Sequence, residues 1–361
     1  MKFAFVLACI SSLSTLNVRA DTLPSWSKNI EQVLAANIDI RGHNYIGSVY
    51  FDNGKTYYRS HGQRPTTHLH IAEEDLRFEI GSLSKIHTAY IVWKLEKLEQ
   101  LSLSDKVATM FPELTNPALQ KVTLRQLITH TSCLPPDFFD LFNAHLAAYD
   151  HITIADFLSR LNAKEIESCE GKFSYSNVGY GLLGLYLERL THQTIQQLMD
   201  HYLFLPLKMT RSSLEELPDD TIGHRANFAP IGPTRLGHFK GMGEVRSTLK
   251  DQARFFKALL LPDHQSFLTS LTKSGKMTMA YAFLMIPPGD VFTHAGKTNG
   301  FSSVVVIDKK KKRGHLALTN QSFDIQCTIE VFIGDPCEPR NPTLFIWVWR
   351  KFTTLLGVFS G

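Results

Sequence analysis

Strand-type patterning stands at both ends of this 361-residue chain, and helical spacing fills the middle. That order constrains the fold more than any other feature. A chain that opens and closes in strands, with helices between, is expected to build an α+β body whose sheet takes strands from both ends. Near the start, Gly47 to Tyr58 (GSVYFDNGKTYY) holds two short strand-like runs around Asp52-Asn53-Gly54, a turn sequence suited to a tight hairpin. Leu76 to Ile80 (LRFEI) reads as a strand leading into Gly81-Ser82. From Ser84 to Leu98 the apolar residues Ile86, Ala89, Tyr90, Trp93 and Leu98 recur at helical spacing. Thr123 to Thr129, Tyr180 to Leu190 and Ile195 to Phe204 read as further helices. Ser247 to Leu260 reads as an amphipathic helix with Ser247 or Thr248 as its N-cap. Ser302 to Ile307 and His315 to Thr319 return to strand around Asp308 to Gly314, whose basic run is expected to be a solvated hairpin turn.

With 43% hydrophobic and 20% charged residues the chain is ordinary globular material, which excludes a disordered, collagen-like or polytopic membrane protein. A formal net charge of +4, evenly spread, gives no basis for a nucleic-acid partner. Residues 1–20 read as a secretory signal peptide: Lys2 supplies the positive start, Phe3 to Ile10 the apolar run, and Val18-Arg19-Ala20 the cleavage site. The apolar run is short for a membrane span. The expected location is therefore periplasmic or secreted, with Asp21 opening the mature chain. Cys9 leaves with this segment, and Cys133, Cys169, Cys327 and Cys337 remain. In an exported chain these are expected to form disulfides; close spacing favours Cys327–Cys337, leaving Cys133–Cys169. There is no C-x-x-C pair, and His68-Leu69-His70 lacks the further ligands of a metal centre, so neither metal nor other cofactor is expected. The apolar tail Leu344 to Phe359, broken by Arg350-Lys351, reads as a terminal helix closing the sheet, with peripheral membrane contact as the alternative.

Three constellations carry chemistry. Ser82-Leu83-Ser84-Lys85 opens a helix, and residues three apart share a helix face, so the lysine amine reaches the serine hydroxyl. A serine becomes nucleophilic when a neighbouring base takes its proton, and a desolvated lysine has the lowered pKa to act as one. Tyr175-Ser176-Asn177 supplies a phenol able to shuttle a proton and an amide able to bind substrate. His294-Ala295-Gly296, before Lys297, reads as an edge strand on which substrate backbone lies close. The Lys297 amide then faces the Ser82 amide as an oxyanion hole, with His294 as a positive or donor group.

Taken together these segments resemble the serine β-lactamase and penicillin-binding superfamily, on its class C, D,D-peptidase and esterase branch. Phe78 to Lys85 (FEIGSLSK) is similar to the nucleophile segment, Val122 to Ser132 (VTLRQLITHTS) to the T-L-R-x-L-L-T-H-T-S helix, and Tyr175 to Gly184 to the Y-S-N segment. Pro206 to Thr210 and Arg246 to Thr248 also fit, and the likeness runs from about residue 40 to 320. It implies an antiparallel sheet with flanking helices and an all-α part, the α/β portion covering about 21–81 and 240–361 and the helical portion about 82–239. It implies Ser82 as the acylated nucleophile, with Lys85 and Tyr175 sharing proton transfer, and Asn177, His294, Gly296 and Lys297 holding substrate. Peptidoglycan peptides ending in D-Ala, small amides or esters are the implied substrates of a monomer, with β-lactams as acylating ligands. Two departures stand out. The third motif is H-A-G where β-lactamases carry K-T-G, which favours peptidase or esterase chemistry, and Cys133 stands where the family has glycine.

Overall fold

The computed structural model describes residues 22–38, 44–65, 70–138, 149–164, 166, 171–225, 227–322 and 325–336. The leader, His68, Cys169, Cys337 and the apolar tail lie outside them.

In chain order the elements are α1 (Lys28–Ala36), β1 (Tyr45–Asp52), β2 (Lys55–Gly62), β3 (Phe78–Glu79), α2 (Ser84–Lys97), α3 (Leu124–Ile128), α4 (Ile154–Ala163), α5 (Asn177–Thr191) and α6 (Ile195–Met199). There follow β4 (Gly223–His224), β5 (Pro230–Ile231), β6 (Arg246–Ser247), α7 (Leu249–Ala258), β7 (Thr272–Ser274), β8 (Met277–Met279), β9 (Leu284–Ile286), β10 (Val291–Lys297), β11 (Ser302–Asp308), β12 (Arg313–Thr319) and α8 (Cys327–Ile333). Eight strands form one sheet in the order β2-β1-β12-β11-β10-β9-β8-β7. All its pairings are antiparallel, and β1 from the front of the chain lies beside β12 from the back. The architecture is α+β, with strands drawn from both ends.

Alternation of side chains explains the layers. Val304 and Val306 of β11 point to one face with Ile46 and Tyr50 of β1, and there they meet Ile30 and Leu34 of α1 and Ile329 and Phe332 of α8. Val305, Ile307, Val49 and Phe51 point to the other face, into the larger core that holds α2, α5 and α7. A strand buried on both sides reads as a continuous apolar run, as SSVVVID does. Each fully buried aliphatic side chain there contributes roughly 1.5–3 kcal/mol against exposure.

The β1–β2 hairpin turns through Asn53 and Gly54 at φ 46° and 87°, the left-handed pair a two-residue turn requires. α7 is capped by Thr248, whose Oγ1 accepts from the Asp251 amide at 3.1 Å. Three expectations need correction. Leu98 lies beyond the last turn of α2 as its C-cap and is 53% exposed, because the buried position at that end is taken by Leu95. The strand expected over 76–80 shrinks to Phe78–Glu79, paired with Arg246–Ser247 in a separate two-stranded ribbon. The H-A-G strand is not at the sheet edge: β7, β8 and β9, three residues each, extend the sheet past it, too short to show alternation in sequence.

Candidate active site

The turn that carries Ser82 is built by close backbone approach. Ile80 N–H donates to Val245 O at 3.1 Å, after which the chain turns through Gly81 at φ 51° and enters a 3₁₀ turn, Gly81–Leu83, that feeds α2. A Cβ on Gly81 would stand 2.7 Å from Lys297 N, and one on Gly296 would stand 2.2 Å from Ile80 O and 2.9 Å from Ser82 N. The end of β10 therefore lies backbone to backbone against the Ser82 turn. Ser303 Oγ of β11 donates to Ile80 O at 2.8 Å and holds the two together. Gly81→Ala puts a side chain into both a left-handed backbone and the Lys297 amide. It is expected to cost more than about 1 kcal/mol of stability and to lower activity with it. An unchanged denaturation midpoint and rate in that variant would contradict this packing.

Lys85 is fully buried on the first turns of α2. Its Nζ lies 3.0 Å from Ser82 Oγ, 2.7 Å from Asn177 Oδ1 and 2.6 Å from Met242 O. Burial pushes its pKa down from 10.5 to about 7, with the Asp137 carboxylate acting in the opposite direction. The Tyr175 hydroxyl donates to Ser82 Oγ at 2.8 Å, and burial holds that phenol protonated by raising its pKa. Tyr175 is held in turn by His130. Its ring centroid lies 4.4 Å from the Tyr175 ring, its carbonyl accepts from Ser174 N at 2.7 Å, and its Nδ1 accepts from Ser176 N at 3.1 Å. Ser176 caps α5, its Oγ accepting from Gly179 N at 2.9 Å, so Asn177 begins the helix instead of lying in a turn before it.

The structure thus brings Ser82, Lys85, Tyr175 and Asn177 into one hydrogen-bonded group, with Gly296 and the Lys297 amide beside it. His294 sits half-buried on β10. Burial, then the neighbouring Lys85, push its pKa down to about 3, so at neutral pH it is an uncharged ring; of the positive or donor group expected, the positive form does not apply. Its Nδ1 lies 2.7 Å from Ala295 O, an atom that only accepts, so Nδ1 carries the proton and Nε2 is an acceptor. β9 pairs with β10 only at Val291, Phe292 and Thr293, so beyond Thr293 no described strand continues the sheet on that side. Sequence reasoning missed two participants, Met242 through its carbonyl and Asp137. Asp137 Oδ2 accepts from Asn177 Nδ2 at 2.7 Å, and the only trace in sequence is an acid in the turn Leu134-Pro135-Pro136-Asp137. Among the described residues no group of three His, Cys, Asp or Glu side chains is placed to hold a metal ion.

A serine hydroxyl in contact with a buried lysine amine and a tyrosine hydroxyl is an arrangement able to activate the serine for attack on a carbonyl. The sequence profile of the Beta-lactamase family matches residues 44–330, and the chain belongs to that family. It is 26% identical over 343 residues to penicillin-binding protein 4* of Bacillus subtilis, covering 83% of this chain and 75% of that protein. It is 23% identical over 295 residues to protein flp of Staphylococcus aureus, covering 74% of this chain but only 58% of that longer protein. Among solved structures, a β-lactamase/D-alanine carboxypeptidase from Pseudomonas syringae superposes with a TM-score of 0.71 at 19% identity, over 86% of this chain and 99% of that one. A class C β-lactamase superposes at 0.72 and 20% identity, over 88% and 96%. These two likenesses establish the β-lactamase/transpeptidase fold.

Proposed function

We propose that this protein is an exported serine hydrolase that forms an acyl-enzyme at Ser82 and acts on D-Ala-type peptidoglycan peptides or on small amides and esters. The observation that carries the reading is the set of contacts around Lys85 and Ser82. A neutral amine has two N–H donors and one lone pair. The two carbonyl oxygens nearest Lys85 Nζ, on Asn177 and Met242, take both donors, which leaves the lone pair for the Ser82 hydroxyl. Tyr175 donates to the same Ser82 oxygen from the other side. In this reading Lys85 takes the Ser82 proton as Oγ attacks the carbonyl carbon, and the Ser82 and Lys297 amides receive the charge on the carbonyl oxygen. Tyr175 gives its proton to the leaving group and is reprotonated from Lys85. Water then releases the acyl group by the reverse proton route. Asn177 positions Lys85, and His294 Nε2 accepts from a donor on the substrate. Tyr175→Phe is expected to slow acylation by about 100-fold or more, the usual worth of a positioned acid; rapid-quench acylation rates within a few-fold of the parent would remove Tyr175 from this role.

The H-A-G motif favours peptidase or esterase over β-lactamase chemistry. Ala295 has no hydroxyl for a substrate carboxylate, and His294 is uncharged. Export agrees with the sequence of residues 1–20 and with Cys133 and Cys327, both disulfide-bonded, whose proposed partners are Cys169 and Cys337. Turnover of an acetylated D-Ala-D-Ala peptide, p-nitrophenyl acetate and benzylpenicillin, measured side by side, tests the substrate class. The expected result is faster release of D-Ala or p-nitrophenol than net consumption of penicillin. Penicillin consumed faster than both would turn the assignment to a class C-like β-lactamase. A stable penicilloyl adduct with no turnover of any probe would turn it to a sensor module.

A further inference from the structure

The best-connected group around Lys85 that belongs to none of the three motifs is Asp137. Its two carboxylate oxygens are held from different elements. Oδ2 accepts from Asn177 Nδ2 at 2.7 Å, and Oδ1 accepts from the hydroxyl of Tyr149, which is itself fully buried. On the far side of the same amide, Asn177 Oδ1 accepts from Lys85 at 2.7 Å. The Asn177 side chain is therefore held at both ends, and its amide cannot turn over without breaking two bonds at once. The loop that carries Asp137 is clamped onto the same place. Pro136 O accepts from Asn177 N at 2.8 Å, and Pro135 O accepts from Ser176 Oγ at 2.6 Å.

From this geometry we infer that Asp137 is a positioning residue for the reaction: through Asn177 it fixes the amide against Lys85, and its charge sets the pH above which Lys85 is free to take the Ser82 proton. The inference rests on the reading of Lys85 as the base. The other groups facing the Lys85 amine carry no countercharge at neutral pH. The rings of Tyr175 and Tyr180 on the α5 side lie 5.2 and 5.7 Å from Nζ, and both phenols are held protonated by burial. His130 and His294 are held neutral by burial, with Lys85 pushing the same way. Among these neighbours Asp137 alone supplies negative charge, and it opposes the desolvation that would otherwise carry the lysine lower still. A base whose pKa falls too far loses strength as a proton acceptor; burial frees Lys85 of its proton above about pH 7, and the carboxylate one amide away keeps it basic enough to act.

The test is the pH dependence of kcat/KM for p-nitrophenyl acetate in the full mature chain. The parent is expected to lose activity as pH falls through about 7, as Lys85 takes up a proton. Asp137→Asn removes the charge with little change of shape. It is expected to move that acid limb down by about half to one pH unit, with a lower plateau. Asp137→Glu keeps the charge and is expected to leave the limb in place while the plateau falls. Tyr149→Phe removes one bond to Asp137 without touching its charge and serves as the structural control, with a limb at the parent position. Should Asp137→Asn fail to fold, Asp137→Ser reads the same loss of charge. A limb near 7 that the charge-removing variants lower only in height would overturn the role of Asp137 and leave Lys85 as the base. Absence of any limb near 7 in the parent would overturn the reading of Lys85, and this inference with it.

Discussion

Ser82→Ala is expected to lower hydrolysis of every substrate by roughly 10⁴-fold or more, because it removes the oxygen proposed to attack the substrate carbonyl. The loss follows from position. Ser82 Oγ is the common partner of Tyr175, at 2.8 Å, and Lys85, at 3.0 Å, so both proton-handling groups lose their object in one step. The fold is expected to tolerate the change within about 1 kcal/mol, since the removed hydroxyl is small and half-buried. Activity and stability thus separate, which distinguishes loss of a nucleophile from loss of structure. Chromogenic ester turnover beside a denaturant titration measures both. Residual activity above about 1% of the parent would place the chemistry elsewhere, far above what a lost nucleophile leaves.

Lys85→Met is expected to be the next largest effect, a loss of roughly 10²–10⁴-fold in kcat/KM, the range for removing a general base. Methionine fills much of the same volume, so the buried slot on α2 stays occupied. The change leaves Asn177 Oδ1 and Met242 O without their donor, at about 1–3 kcal/mol each, while relieving the burial of an amine. The diagnostic is the shape of the pH profile. With pKa lowered to about 7 the parent amine is neutral above that pH and protonated below it, so the parent rate rises through 7. The variant is expected to lose that rise. A variant that kept it would show that another group titrates there.

Much of this arrangement was legible before any coordinates. The inner strands β1, β11 and β12 were readable because they are seven or eight residues long and alternate or run apolar around clear turns. Ser82 and Lys85 were readable because a helix enforces their proximity. Tyr175 and Asn177 were readable as chemistry-bearing residues, but their place beside Ser82 and Lys85 came only through family likeness, since no local rule brings residues about ninety positions apart into contact. What escaped was set by tertiary packing. β7, β8 and β9 are too short to carry a period. α1 and α8 cover the back of the sheet from the two ends of the described chain, and neither was singled out. The charge of His294 was left open between a positive and a donor group because sequence gives a histidine its ordinary pKa, whereas burial beside Lys85 lowers it. Asp137 is invisible for the same reason: its importance lies in the Asn177 amide it grips, and only the fold puts the two together.

In the proposed reaction Ser82 Oγ carries the acyl group. Intact-mass measurement of the mature protein with benzylpenicillin over time, followed by peptide mapping, addresses this directly. The expected result is one penicilloyl group per chain, located on the peptide containing Ser82 and absent from Ser82→Ala. An adduct that persists in Ser82→Ala, or maps to another residue, would contradict the account.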